Sequence, residues 1–232
     1  MIISHKHKFI FIKTRKTAGT SIEIALSKYC GPKDVITRIS KKDEETRRKL
    51  GYRGPQNRRV SFSKYSGTEW FKFFFQGRRY AFRNHMGAKT ISKLIDPEVW
   101  NSYFKFCFER NPWDKVVSLY FWDYPTEPRP SLSEFIQAGK PNNVVGGEGG
   151  GFDLYAIKGE IVVDRVCFYE NIQEEMEYLA KRLNLGEALQ LPRAKAGTRN
   201  DRRHYQELLT KEDKDKISKV FAREIAYFGY KF

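Results

Sequence analysis

The residues whose types and spacing suit chemistry lie first in the segment Lys16–Ser21, which reads KTAGTS. The segment follows an apolar stretch, Lys8–Ile12, that predicts a short buried strand, and it leads into a helical pattern over Thr20–Tyr29. A turn that enters a helix exposes backbone N–H groups without a helical partner, and the helix dipole adds positive potential there. The segment therefore predicts a site for phosphate or sulfate, with an ordinary basic turn as the other interpretation.

The same turn lacks the Gly-Lys-Ser/Thr ending with which nucleoside triphosphatases hold phosphates and magnesium. Its lysine, Lys16, precedes Gly19 by three positions, so no hydroxyl is placed as a magnesium ligand by that rule. Gly19 lets the backbone approach an anion closely, and Thr20 and Ser21 add hydroxyl donors. The sequence predicts an anion site here without a metal ligand.

A second turn with suitable chemistry follows the predicted strand Tyr103–Phe108, in the run FKFCFERNPWDKVVSLY. Arg110 comes just after the strand, and Asn111 and a proline are suited to start a helix. Arg110 and Ser118 can converge on one anion, because an arginine fork matches phosphate geometry. Taken alone, a solvated arginine beside a capped helix is the simpler interpretation.

The composition favours a folded protein with anionic partners. Of the 232 residues 40% are hydrophobic, and the formal net charge is +15. Nucleic acid, an acidic lipid surface, an acidic polysaccharide and a phosphorylated nucleotide all fit such a charge. The three cysteines are far apart and lack metal-binding spacing, which predicts reduced, buried thiols and a cytoplasmic protein. No stretch is long and apolar enough for a membrane span, and no signal peptide is expected.

Strands that alternate with helices predict one α/β domain over residues 1–232, with a mostly parallel sheet flanked by helices. Ligands in such sheets bind at the carboxyl ends of the strands, where both turns lie. A third buried strand is predicted at Ile161–Phe168, and the aromatic segments Trp70–Phe75 and Tyr80–Phe82 are interpreted as further strands. The apolar pattern from Ile217 to Phe228 predicts the last helix.

Together the two turns resemble those of sulfotransferases that use 3'-phosphoadenosine 5'-phosphosulfate (PAPS). KTAGTS is similar to the 5'-phosphosulfate loop of that superfamily, and RNPWDKVVSLY (Arg110–Tyr120) is similar to its 3'-phosphate motif. FYENI (Phe168–Ile172) and the ending FGYKF (Phe228–Phe232) resemble the Golgi-type and bacterial carbohydrate sulfotransferases. The resemblance implies a P-loop nucleotide-kinase-like fold and transfer without a metal.

The resemblance also implies roles for particular residues. The loop that would hold the 5'-phosphosulfate consists of Lys16, Thr17, Ala18, Gly19, Thr20 and Ser21. Arg110 and Ser118 match the ligands of the 3'-phosphate, and the product would be adenosine 3',5'-bisphosphate. A looser match, at the position of a loop that closes over the cofactor, adds Lys195, Thr198 and Arg199.

Sulfuryl transfer to a hydroxyl or amine needs positioning, charge stabilisation and a base, for which histidine is the usual choice. Lys16 suits the stabilisation of the leaving phosphate. Among the four histidines, His85 is predicted as the base, because it follows an aromatic strand candidate and precedes a helix from about Ala88. Glu23 and Glu109 are alternatives, and Glu109 can instead pair with a cation.

Two other functions fit parts of the sequence. A P-loop nucleotide kinase would have a similar fold but would need magnesium and the missing Gly-Lys-Ser/Thr ending. A nucleic-acid-binding protein fits the charge, yet no nucleic-acid module is recognisable, so no nucleic acid is expected as a partner. The expected acceptor is a glycan or a small hydroxylated metabolite, with a lipid or a peptide tyrosine left open. The segments Lys41–Tyr65 and Asn142–Tyr155 are candidates for acceptor contact or for plain surface loops.

Overall fold

A five-stranded sheet forms the centre of the part of the chain described by the computed structural model, residues 1–142, 151–192, 201 and 203–232. Two further short strands form a separate hairpin. The strands are β1 (Ile2–Ser4), β2 (Phe9–Phe11), β3 (Val35–Ile36), β4 (Phe104–Glu109), β5 (Ala156–Ile157), β6 (Glu160–Ile161) and β7 (Arg165–Phe168).

The central sheet has the strand order β3-β1-β2-β4-β7. Strand β1 is antiparallel to both of its neighbours, whereas β2, β4 and β7 pair in parallel, with Phe9 opposite Phe104 and Phe106 opposite Arg165. Among the described residues, four of the five strands of this sheet therefore run in one direction. The predicted mostly parallel α/β sheet is confirmed.

Helices cover both faces of the sheet. In the described residues they are α1 (Gly19–Ser27), α2 (Lys41–Lys49), α3 (Gly67–Gln76), α4 (Ala88–Leu94), α5 (Pro97–Ser102), α6 (Pro112–Asp123), α7 (Leu132–Gln137), α8 (Ile172–Arg182), α9 (Tyr205–Leu208), α10 (Lys211–Val220) and α11 (Ala222–Phe228).

The core follows from the alternation of side chains along the buried strands. One face of the sheet packs against α1 and α8 through an aromatic row, Phe9, Phe11, Phe104, Phe106 and Phe108. The opposite face packs against α4 and the segment before β5 through Ile10, Ile12 and Cys107. A third cluster joins α6 to α7, α9 and α10. All three cysteines are buried and form no disulfide.

The structure corrects several predicted elements. Trp70–Phe75, interpreted as a strand, lies in helix α3, and Tyr80–Phe82 contributes only an isolated bridge at Ala81. Aromatic composition favours strands, but these rings recur at helical spacing and Gly77 ends the helix in the left-handed conformation (φ 61°). The last helical pattern is interrupted at Phe221. Of the predicted strand Ile161–Phe168, only β7 joins the central sheet.

Within the described residues, the helices are too short or too polar to span a bilayer.

Replacement of Phe106 by alanine tests the aromatic row. This side chain is fully buried, and its ring centroid lies 5.4 Å from that of Phe11 and 5.8 Å from that of Phe9. The cavity should cost about 3–5 kcal/mol of unfolding free energy, measured by urea unfolding. The control Phe74→Ala removes a ring that is 71% exposed and should change stability by less than about 0.5 kcal/mol. Equal effects of the two substitutions would contradict this description of the core.

Candidate anion-binding site

The turn between β2 and α1 presents a buried helix start without a side-chain cap. Lys16 and Ala18 adopt left-handed backbone conformations, with φ of 62° and 57°. Ala18 is the N-cap and supplies no side-chain acceptor, and the first turn of α1 carries no acidic residue. The helical bonds begin with Ile22 N–H donating to Ala18 O (3.1 Å), so the N–H groups of Gly19 and Thr20 have no acceptor within the helix. Such a concave set of backbone donors suits an anion.

Gly19 is required by close packing inside the turn. A Cβ at this position would lie 2.9 Å from Lys13 Cγ and 3.3 Å from the backbone oxygen of Thr14. The turn folds back over its own first residues. Thr14 holds that fold, because its hydroxyl donates to Phe108 O at the end of β4 and lies 2.8 Å from the hydroxyl of Thr17.

A buried carboxylate, Glu23, holds Lys13, the first residue of the turn, through an ion pair. Its Oε2 atom lies 2.9 Å from Lys13 Nζ and 2.9 Å from the amine of Met1, and its Oε1 atom accepts from Thr37 Oγ1 at 3.0 Å. Arg47 Nη2 lies 3.5 Å from Oε1. Burial opposes ionisation of Glu23, but the neighbouring cations outweigh it and lower its pKa to about 2. Lys13 is thus committed to a structural ion pair, which leaves Lys16 as the lysine at the mouth of the turn.

Arg110 joins the second turn to the first. Its Nη1 atom donates to Lys16 O (3.0 Å), while Nε and Nη2 donate to Asp114 Oδ2 at 2.8 and 2.6 Å. The guanidinium stacks over the ring of Tyr169, 4.1 Å from the centroid. Arg110 is buried and rigidly held. The two predicted turns therefore meet, as expected from the parallel pairing of β2 with β4.

Helix α6 lines the other side of the anion turn with one of its faces. Asp114, Ser118 and Trp122 follow one another at intervals of four residues, so they share a face of the helix. Asp114 accepts a hydrogen bond from Arg110, and Lys16 Nζ lies 4.8 Å from the ring centroid of Trp122. Ser118 is half-buried between them, on the face that borders the turn.

The two segments that resembled carbohydrate sulfotransferases both support the second turn. Glu170 accepts a hydrogen bond of 2.6 Å from Asn111 N–H, and Asn111 Nδ2 donates to Lys231 O at 3.3 Å. Asn111 also caps α6 by accepting from the N–H groups of Trp113 and Asp114. Both segments therefore hold Asn111, the first residue of the second turn after Arg110, in place.

His85 contacts the anion turn from the segment before α4. Its Nδ1 atom lies 2.9 Å from Lys13 O, so Nδ1–H donates and Nε2 retains a lone pair. The residue holds a left-handed conformation (φ 55°). Burial and the nearby charge of Lys13 lower the pKa of His85 to about 4. The side chain is therefore neutral at pH 7.

The structure argues against both acidic alternatives to His85. Glu109 is fully buried, pairs with Lys115 Nζ and accepts from Tyr155 Oη at 2.9 Å. Glu23 is equally buried in the ion-pair cluster beneath the turn. Neither carboxylate is accessible to an acceptor, and the interpretation of Glu109 as the partner of a cation is confirmed.

Some predicted site residues are not placed by the structure, and some contacts were not predicted. Lys195, Thr198 and Arg199 lie outside the described residues. Asp114 and Tyr169, which hold Arg110 from two sides, were not assigned a role. A signal for Asp114 existed, because a carboxylate four residues after Arg110 on a helix is placed to pair with it.

A cavity of about 520 Å³ lies at the opposite edge of the sheet, beside the start of β2 and the start of β4. It is lined by Lys6, His7, Lys8, Phe104 and Arg182, among others. Because ligands of parallel sheets bind at the carboxyl ends of strands, this cavity is not part of the anion site.

The pKa of His85 makes stability depend on pH. Between pH 6.5 and 4 the unfolded chain takes up a proton at this histidine while the folded chain does not, so stability falls as the pH falls through that window. The contribution is at most about 3 kcal/mol. His85→Asn keeps an N–H donor for Lys13 O, tolerates the left-handed backbone and cannot titrate.

Urea unfolding of both proteins across that pH range measures this effect. The His85→Asn variant should lose clearly less stability than the wild type, whereas His5→Asn, at an exposed residue on the other edge of the sheet, should behave like the wild type. Identical losses for wild type and His85→Asn would refute the pH effect.

Comparison with other proteins identifies one relative but no function. A protein of Archaeoglobus fulgidus, described as an uncharacterized protein, is 30% identical to the chain over 109 residues, which are 45% of this chain and 87% of that protein. No family model matches the chain, and no solved structure matches it. By this identity and coverage, the chain belongs to one family with the archaeal protein.

Proposed function

We propose that the chain is a PAPS-dependent sulfotransferase with a P-loop nucleotide-kinase-like fold. The observation that carries the proposal is the buried, uncapped start of α1, joined to Arg110 through Lys16 O. An anion bound at this helix start would lie near Arg110, which follows β4, and near the face of α6 that carries Ser118. That pairing suits a nucleotide with phosphates at two separate positions.

The turn between β2 and α1 would hold the 5'-phosphosulfate. The N–H groups of Gly19 and Thr20 would donate to a ligand there, and the buried start of α1 would add positive potential. Lys16, half-buried above the turn, supplies a positive charge for the leaving phosphate. Gly19 supports the fit indirectly, because a side chain there would press against Lys13 and Thr14 and change the shape of the turn.

Arg110 and Ser118 would hold the 3'-phosphate. Three N–H groups of Arg110 donate to Asp114 and Lys16 in the described contacts, and a guanidinium has five, so two remain for a phosphate. Asp114 orients the fork but opposes an approaching anion. The ion pair with Asp114 therefore lowers the affinity of Arg110 for a phosphate but fixes the orientation of the guanidinium.

His85 would act as the general base. When bound, PAPS supplies the sulfuryl group, with adenosine 3',5'-bisphosphate as the leaving group. His85 Nε2 accepts the proton of the acceptor hydroxyl, while the Nδ1 hydrogen bond to Lys13 O holds the ring in that tautomer. A bound anion would also raise the low pKa of His85 towards the operating pH.

A carbohydrate hydroxyl is the proposed acceptor, on the strength of the resemblance alone. Of the two candidate acceptor segments, Lys41–Tyr65 contains α2 and a short helical turn at Phe62–Lys64. Residues 143–150 of the other segment lie outside the described residues.

Binding of adenosine 3',5'-bisphosphate tests the cofactor site. Calorimetry should detect binding to the wild-type protein without magnesium, and Arg110→Ala should weaken it about 10- to 100-fold, since the lost bonds are charge-assisted. Arg165→Ala is a matched control, because Arg165 also combines an ion pair, to Glu175 at 2.8 Å, with an aromatic stack, on Tyr178 at 3.9 Å.

The control residue lies at the first position of β7, away from the anion turn, and its replacement should leave the affinity unchanged. ATP with magnesium serves as the competing ligand. Tighter binding of magnesium-ATP than of the bisphosphate would refute the proposal in favour of a nucleotide kinase, and unchanged affinity in Arg110→Ala would refute the 3'-phosphate role.

Transfer of radiolabelled sulfuryl from PAPS to a panel of simple glycans tests His85. In His85→Asn the rate should fall by about 100-fold or more, while the bisphosphate affinity stays within about twofold of the wild type. The variant keeps the donor to Lys13 O, so a loss of rate reports the missing Nε2 base and not a displaced turn. Normal turnover in this variant would exclude His85 as the base.

A further inference from the structure

Helix α3 presents an exposed ridge of phenylalanines. Phe71, Phe74 and Phe75 are 55%, 71% and 75% exposed, which is unusual for three large apolar side chains on one helix. Their rings are ordered against one another and their neighbours: Phe71 lies 4.6 Å from Phe75, and Phe74 stacks on Trp70 at 5.5 Å. The polar residues of α3 occupy the remaining side of the helix.

An aromatic cluster beneath the ridge holds α3 in place. Trp70 and Phe73, on the inner side of the helix, pack against Phe62 and Tyr65, with ring centroids 5.2–6.4 Å apart. Tyr65 also accepts a hydrogen bond of 2.8 Å from Tyr80 N–H. The ridge is therefore a supported, convex surface and not a loosely attached segment.

The segment that carries the ridge is basic. Between Ser61 and Arg79 the chain carries four basic residues and a single acid, Glu69, whose carboxylate accepts from Ser66 Oγ. The basic side chains are all exposed: Lys64, Lys72, Arg78 and Arg79. Apolar rings with basic residues around them are the pattern of helices that lie in the interface of an anionic bilayer.

We propose that α3 docks the protein onto membrane surfaces rich in anionic phospholipid, with the three phenylalanines among the acyl chains. The charge disfavours a dimer formed through α3, because a two-fold contact would place the four basic residues of one copy opposite those of the other. The ridge carries no polar atom for sugar hydroxyls, and it is convex, whereas single-stranded nucleic acids are tracked by grooves. This proposal is independent of the sulfotransferase assignment.

Vesicle co-sedimentation tests the docking. The protein should bind vesicles that contain phosphatidylglycerol, bind vesicles of phosphatidylcholine alone at least about tenfold more weakly, and dissociate as salt is raised. Fluorescence of Trp70 should shift to the blue on binding, and Trp70→Phe should abolish that shift.

The variant Phe74→Glu/Phe75→Glu should lose vesicle binding while its circular dichroism and thermal midpoint stay near the wild-type values, because both side chains are exposed. Tyr227→Glu is the matched control, since Tyr227 is an aromatic residue 61% exposed on α11, and it should bind like the wild type. Retained binding in the double variant, or equal binding to both kinds of vesicle, would overturn the proposal. So would concentration-dependent dimerisation, glycan binding or oligonucleotide binding that the double variant abolishes.

Discussion

The ion pair between Glu23 and Lys13 is the contact on which the candidate site depends. It lies beneath the anion turn, out of reach of solvent, and ties β1, α1 and α2 to the residue that starts the turn. Removal of one partner from such a buried pair leaves an uncompensated charge and costs about 3–5 kcal/mol. The Lys13 side chain, held by this pair, occupies the space beside Gly19. The shape of the turn is therefore set by a contact that never meets a ligand.

Two further contacts connect the turn to His85 and Arg110, the candidate base and the candidate phosphate ligand. Lys13 O holds the imidazole of His85, and Lys16 O holds the guanidinium of Arg110. Both groups bind backbone carbonyl oxygens of one short turn, so the conformation of that turn helps to set where each group lies. An arrangement of this kind is pre-organised, because the groups need little reorientation when a ligand arrives.

The parts of this site that the sequence predicted are those that depend on local pattern and on the rule of parallel sheets. The glycine-containing turn, the capped start of α6 and the meeting of both turns follow from strand-then-helix patterns, because the carboxyl ends of parallel strands lie at one edge of the sheet.

The unpredicted parts depend on contacts distant in the chain. Glu23 pairs with Arg47 and Glu109 with Tyr155, and no spacing reveals such partners. His85 reaches the turn through tertiary packing, although the strand expected directly before it, Tyr80–Phe82, forms only an isolated bridge at Ala81. Strands β1 and β3, of three and two residues, are too short for alternation to predict.

The structure also distinguishes two kinds of basic residue that composition could not separate. Lys13, Arg47, Arg110 and Lys115 are buried and matched to carboxylates, so their charges are largely neutralised inside the fold and contribute little field outside it. The cations around α3 are exposed and have a single nearby acid. Long-range attraction of an anionic partner must come from charges of the second kind, since screening and pairing reduce the first. The net charge of +15 therefore says little about the candidate anion site, where Lys13 and Arg110 each have a carboxylate within reach.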